Sequence, residues 1–93
     1  MLNEKIKELR LSYKLNQVEM AKAFGVSKQC VSNWENDNVL PSIEMLVKIA
    51  KFFNVSSDYL LGLDDSETVS VQGLTETQVA HVKLIIQDML ELN

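Results

Sequence analysis

The chain has few of the residues that crosslink a fold, bind metals or interrupt helices and strands. Its 93 residues include one cysteine, one histidine, one proline and three glycines. A single cysteine excludes an intrachain disulfide, and a single histidine excludes the histidine clusters common in zinc sites. No apolar stretch approaches the roughly 18 residues of a membrane helix, and the charged first eight residues lack the apolar core of a secretory signal. We therefore expect a cytoplasmic protein with no metal site and no cofactor.

Signals of catalysis are equally scarce. The sequence has no glycine-rich phosphate loop and no serine–histidine pairing in a supporting context. The carboxylates Asp64, Asp65 and Glu67 lack the alternating spacing and the glycine of a calcium loop. An enzyme is therefore not expected.

Charge divides the chain into two regions. The net charge is −4 and the pI is about 4.8, which at face value argues against a nucleic-acid partner. Residues 1–62, however, carry eight positive and seven negative side chains, whereas residues 63–93 carry one positive and six negative. The acidity therefore belongs to the C-terminal third, and the first region is free to concentrate its positive charge on one face.

Apolar spacing and capping residues predict an all-α chain with five helices in one domain, residues 1–63. The first helix begins near Leu2, the second spans 17–24, and the third spans about 28–36. The fourth follows a cap at Ser42, and the short fifth starts at Ser56 or Ser57 and ends at Gly62. The residues expected to face inward on helices two, four and five include Val18, Met20, Ala21, Phe24, Ile43, Leu46, Ile49, Ala50, Phe53, Tyr59, Leu60 and Leu61.

The remaining third is predicted to be an acidic linker, 64–74, followed by one helix, 75–93. Val69 and Val71 alternate with polar residues and are compatible with a short strand, but an extended linker is favoured. Thr75 and Gln78 form a capping box for a helix reaching about Leu92.

Residues 17–36 carry the most informative pattern. Two short helices are joined by a tight turn, residues 24–27. A small side chain is needed where the helices cross, and Ala21 supplies it. Gly25, four residues later, adopts the positive φ that the turn requires, and Val26, Val31 and Trp34 anchor the second helix in the core. Together these features predict a helix-turn-helix.

Over residues 3–63 the chain resembles the phage repressor and Cro-like helix-turn-helix proteins, the XRE-type family. The segments that carry the resemblance are 6–10, 15–17, 20–21, 24–27, 31–35, 41–42, 46, 49–50 and 58–62. The resemblance implies a five-helix, lambda-repressor-like DNA-binding domain whose third helix enters the major groove of double-stranded DNA. It also implies a homodimeric transcriptional regulator and a structural ion pair between Arg10 and Glu35.

The exposed residues of the third helix suit base reading. Lys28 can donate to guanine O6 and N7, and Gln29 can pair with adenine N6 and N7. Asn33 lies one turn along the same face, with Ser32 beside it. The residues expected at phosphates are Gln17, Lys22, Ser27, Asn36 and Asn38.

Two residue types in this region have competing interpretations, and one turn departs from the family. Trp34 is interpreted as a core residue rather than a stacking platform. Cys30 is interpreted as a packing residue or bystander rather than a redox sensor, because no second cysteine supports that role. The turn at 36–38 lacks the basic residue and the glycine often present in the family, which weakens the expected phosphate attraction.

The last helix has a wide apolar face that must find a partner, because an isolated helix of this length is marginal in water. We expect it to strengthen a homodimer that binds a palindrome; packing back onto its own domain is the alternative. The expected dimerisation residues are Val79, Val82, Ile85, Ile86, Met89 and Leu90.

Three functions follow from these observations. The first is a sequence-specific transcriptional regulator, most simply a repressor. The second is an antitoxin that binds its own promoter and, through the acidic C-terminal region, a protein partner. The third is an interaction module that no longer binds DNA, which the polar character of Lys28, Gln29 and Asn33 disfavours.

Overall fold

The computed structural model describes residues 1–91, and over that range the chain is all-α, as predicted. No strand forms within these residues, so positions 69 and 71 belong to an extended linker. The predicted helix end at Leu92 lies outside the described residues. The six helices are α1 (Leu2–Ser12), α2 (Gln17–Phe24), α3 (Lys28–Glu35), α4 (Ile43–Phe52), α5 (Ser57–Leu61) and α6 (Glu76–Glu91).

Short polar side chains begin the helices where the sequence predicts them. At the start of α2, Asn16 Oδ1 accepts from the Glu19 backbone N–H at 2.7 Å, and the Glu19 carboxylate accepts from the Asn16 N–H at 2.9 Å. The hydroxyls of Ser27, Ser42 and Ser56 accept the equivalent bonds at the starts of α3, α4 and α5. Each cap satisfies a backbone donor that has no partner within its helix.

One core joins the first five helices. Phe24 lies near its centre and is 1% exposed. Its ring meets Trp34 edge to face at 6.4 Å and lies 6.2 Å from Phe53, while Tyr13 packs edge to face on Phe53 at 4.9 Å. The buried apolar side chains are Ile6, Leu9, Met20, Ala21, Phe24, Val31, Trp34, Ile49, Ala50, Phe53 and Leu60.

Three residues that were expected to face inward are exposed instead. Val18 is 44% exposed because it lies about 160° around α2 from Met20, which takes the core side. Ile43, the first residue of α4, is 80% exposed. Leu61 is 47% exposed, since only Leu60 of α5 reaches the core.

A buried ion pair ties α1 to α3. Arg10 Nε donates to Glu35 Oε2 at 2.7 Å, and Arg10 Nη2 donates to Glu35 Oε1 at 3.0 Å. Arg10 Nη1 also donates to the Leu15 carbonyl at 2.8 Å, in the loop before α2. Both charged side chains are buried. The bidentate geometry and the third bond satisfy a charge that would otherwise be costly to remove from water.

The linker and α6 lie outside this core. Asn54, which follows α4, holds the linker by two bonds: its Oδ1 accepts from the Ser70 N–H at 2.8 Å and its Nδ2 donates to the Ser70 carbonyl at 3.3 Å. Thr75 and Gln78 form the predicted capping box at the start of α6. No described residue of α6 is buried.

Gly25 generates a prediction about the turn between α2 and α3. Its φ is +68°, and a Cβ added there meets nothing within 4 Å. Gly25→Ala therefore costs only backbone strain, and we expect a loss of about 1–2 kcal/mol in the free energy of unfolding. Gly25→Asn, the control, should lose less because asparagine tolerates the left-handed region. Urea unfolding measures both, and equal stability of the alanine variant and the parent would contradict the prediction.

The ion pair generates a second prediction. Glu35→Ala leaves the Arg10 guanidinium buried without its carboxylate, and we expect a loss of about 3–5 kcal/mol in the free energy of unfolding. The double variant Arg10→Met/Glu35→Leu buries no unpaired charge and should unfold at higher urea than Glu35→Ala. A double variant less stable than the single variant would show that burial of the charge is not the cause.

Candidate nucleic-acid interface

The packing of α2 against α3 decides which face of α3 is exposed. Ala21, 4% exposed, lies in the buried core with Val31 and Trp34 of α3. Val26, in the turn, is half-buried against the same core. With these side chains turned inward, the opposite side of α3 faces solvent.

The predicted base-reading residues share that outer face. Lys28 and Gln29 are exposed in the first turn of α3, and Ser32 and Asn33 are half-buried one turn later. The spacing of 28, 29, 32 and 33 places all four on one side of a helix. The structure therefore brings together one cation, two amides and a hydroxyl with no apolar residue among them.

Two hydrogen bonds join polar side chains along this face, and one of them involves Asn36, the residue that follows α3. Gln29 Nε2 donates to Asn33 Oδ1 at 3.0 Å. Asn36 Nδ2 donates to Ser32 Oγ at 3.2 Å. Each bond joins residues four apart and limits the rotation of both side chains.

The predicted phosphate residues are engaged in hydrogen bonds to different extents. Gln17, the first residue of α2, is half-buried, and its Nε2 donates to Glu35 Oε1 at 3.2 Å. Ser27 Oγ accepts from the Cys30 N–H at 3.0 Å, as the cap of α3. Lys22, in the last turn of α2, is exposed.

The turn after α3 takes the shape that a glycine would favour. Asp37 has a φ of +59°, a conformation that aspartate tolerates better than most residues. The Asn38 backbone N–H donates to the Asn33 carbonyl at 3.0 Å, and the Asn38 side chain is exposed. Asn36 and Asn38 thus flank this turn, and no cation is present in it.

One bond that holds the end of α2 was missed by sequence reasoning. Lys48 of α4 donates from Nζ to the Phe24 carbonyl at 3.0 Å. This positive charge lies at the C-terminal end of α2, where the helix dipole favours a cation. No sequence signal identifies it, because the two residues are 24 positions apart and one partner is a backbone atom.

Three other features of the described residues are the cysteine, the potential metal ligands and the length and polarity of the helices. Cys30 is a half-buried free thiol packed against the core. Among residues 1–91, no group of three or more histidine, cysteine, aspartate or glutamate side chains is placed to hold a metal ion. Within the same range, no helix has both the length and the apolar character needed to cross a membrane.

Comparisons with known proteins identify the family and the fold. The family described as "Helix-turn-helix" (HTH_3) matches residues 6–60. An uncharacterized HTH-type transcriptional regulator, YobD of Bacillus subtilis, is 31% identical over 69 residues, covering 74% of this chain and 62% of the relative. Repressor protein C2 of Salmonella phage P22 is 35% identical over 68 residues, covering 73% of this chain and 32% of the repressor. The chain thus spans about a third to three fifths of the length of these curated relatives.

Two solved structures share the fold. The P22 c2 repressor in complex with a synthetic operator superposes with a TM-score of 0.64 at 34% identity, covering 69% of this chain and 97% of that one. A chain from the complex of the SinR and SinI proteins superposes with a TM-score of 0.61 at 25% identity. The match covers all of this chain and all of that one. On the extent of the family match and the shared fold, the chain belongs to the XRE-type helix-turn-helix family.

Proposed function

We propose that the chain is a sequence-specific DNA-binding transcriptional regulator, acting as a repressor that reads a palindromic operator in the major groove. One observation carries this proposal: the outer face of α3 presents Lys28, Gln29, Ser32 and Asn33 together, while the opposite face is locked into the core. These groups supply donors and an acceptor that match base edges in the major groove. The structural likeness to the P22 c2 repressor, whose structure contains an operator, supports it.

Gln17 is proposed to bind a phosphate beside that face. It opens α2, where the unpaired backbone N–H groups of a helix end attract an anion. Its amide keeps a second N–H after donating to Glu35. Lys22, Ser27, Asn36 and Asn38 are proposed to add backbone contacts. The low positive charge of residues 1–62 makes non-specific affinity weak, so that binding depends on base contacts and on dimerisation.

The homodimer is proposed to depend on α6. Val79 and Val82 are half-buried, whereas Ile85, Ile86 and Met89 are 45%, 46% and 60% exposed. Leu90 is also exposed, at 68%. An apolar face this open stabilises an assembly when a second copy covers it. Two recognition helices related by a twofold axis then meet half-sites about 34 Å apart.

An antitoxin is the second candidate function. Antitoxin PezA of Streptococcus pneumoniae is 36% identical over 64 residues, covering 69% of this chain and 40% of that protein. In this alternative the acidic C-terminal region binds a protein partner. Co-expression with the product of the neighbouring gene separates the candidates: an antitoxin restores growth that this product arrests, and a regulator alone does not.

The base-reading proposal predicts the effect of two substitutions. Operators are first selected from a random library with the full chain. Lys28→Ala and Gln29→Ala should each weaken binding to the selected operator by about 1–3 kcal/mol and relax base choice at one position. Lys83→Ala on α6, the control, removes one positive charge and should leave base choice unchanged. The affinity of the parent chain should also fall as the salt concentration rises. Failure to select any operator would contradict the proposal of sequence-specific DNA binding.

The dimerisation proposal predicts a difference between two faces of α6. On α6, Val79, Val82, Ile86 and Met89 are spaced three, four and three residues apart and share one face. Ile86→Asp and Met89→Asp place a charge on that face and should shift the chain to a monomer in sedimentation equilibrium, with at least tenfold weaker operator binding. Leu84→Asp, the control, alters a residue that is 60% exposed outside that spacing and should leave the dimer intact. A dimer that survives both Ile86→Asp and Met89→Asp would exclude this role for α6.

A further inference from the structure

Gln29 and Asn33 form a hydrogen-bonded amide pair on the outer face of α3. Gln29 Nε2 donates to Asn33 Oδ1 at 3.0 Å, across one helical turn. Gln29 is exposed, and Asn33 is half-buried against the helix surface. The more buried partner is therefore placed to hold the more exposed one.

The direction of this bond determines what Gln29 has left to offer a base. A glutamine amide carries one acceptor oxygen and two N–H donors. One N–H is directed at Asn33, so Oε1 and a single N–H remain for a ligand. Adenine presents a donor at N6 beside an acceptor at N7, which is the complement of that arrangement. Guanine presents two acceptors, N7 and O6, and a bidentate contact with it needs two donors.

From this geometry we infer that Asn33 is a positioning residue that makes Gln29 select adenine over guanine. The inference deepens the proposed function and rests on it, since it assumes that α3 reads base edges. Asn33 acts through the orientation of its neighbour's amide. Without the bond, the Gln29 amide rotates freely and can offer both N–H groups to guanine. The opposite bond, with Asn33 donating to Gln29 Oε1, would leave Gln29 two free donors and would favour guanine.

The chain contains a matched pair for comparison. Asn36 makes a bond of the same spacing to Ser32 Oγ at 3.2 Å, one turn further along α3. Asn36→Ala therefore removes an asparagine and a bond between residues four apart from the same helix, and leaves the Gln29–Asn33 bond in place. Asn33→Asp keeps an acceptor oxygen for Gln29 but has no N–H of its own.

The test measures base preference on the selected operator with the full chain. The operator position read by Gln29 is the one at which Gln29→Ala relaxes base choice. At that position the parent should bind adenine more tightly than guanine. We expect Asn33→Ala to lower this adenine-to-guanine ratio about tenfold. Asn36→Ala should preserve the ratio while weakening binding to both operators, because Asn36 is a proposed phosphate contact. Asn33→Asp should also preserve the ratio while binding both operators more weakly, because its carboxylate repels phosphates.

Several results would overturn the inference. A parent preference for guanine at the Gln29 position, or an adenine-to-guanine ratio unchanged by Asn33→Ala, excludes the positioning role. A loss of the ratio in Asn33→Asp as large as in Asn33→Ala excludes it as well, since the acceptor is retained. If Asn33→Ala relaxes only a different position, Asn33 reads its own base and does not act through Gln29. If the parent chain selects an operator, any of these results overturns only the role of Asn33, and the proposed function stands. If the parent chain selects no operator, the proposed function and the inference about Asn33 fail together.

Discussion

The ion pair between Arg10 and Glu35 is the interaction on which the outer face of α3 depends. Glu35 is the last residue of α3, and its carboxylate receives two bonds from α1 and one from Gln17 at the start of α2. Arg10 in turn holds the Leu15 carbonyl in the loop that leads to α2. One buried pair of charges therefore sets three helices relative to one another. The orientation of α3 follows, because its apolar residues Val31 and Trp34 face the core.

The same network links folding to the proposed phosphate contact. Glu35 Oε1 accepts from both Arg10 and Gln17, so the carboxylate that neutralises a buried cation also orients an amide of the proposed interface. Lys48 adds a comparable link from α4 by donating to the last carbonyl of α2. The proposed DNA-contacting elements are thus held by polar bonds that neighbouring helices supply, and the apolar core fills the space between them.

Charge and apolar surface are separated along the chain. Residues 1–62 have a net charge of +1 and an almost complete core, whereas residues 63–93 have a net charge of −5 and an α6 with no buried residue among those described. Asn54 fixes the linker to the end of α4 by two bonds to Ser70. An acidic region held in this way can carry an assembly function without competing for the phosphates that α3 is proposed to approach.

Local signals in the sequence were sufficient for the helices and for the helix-turn-helix. Asn16, Ser27, Ser42, Ser56 and Thr75 each cap a helix because a short polar side chain meets a backbone donor two or three residues away, which requires no tertiary contact. Gly25 and Gly62 take positive φ values for an equally local reason. The outer face of α3 followed from the spacing of Val31 and Trp34.

Contacts between distant residues were decided only by the tertiary structure. Periodicity gives the direction of a side chain but not its neighbour, so Ile43 and Leu61 were assigned to a core that does not reach them. The bond from Gln17 to Glu35, the cap of α2 by Lys48 and the direction of the bond between Gln29 and Asn33 depend on atoms brought together by folding. By itself the sequence determined where helices begin and end and which residues α3 presents, since both depend on neighbours within one or two turns. How those residues are held required the packed chain, because their partners lie on other helices or depend on a rotamer that packing selects.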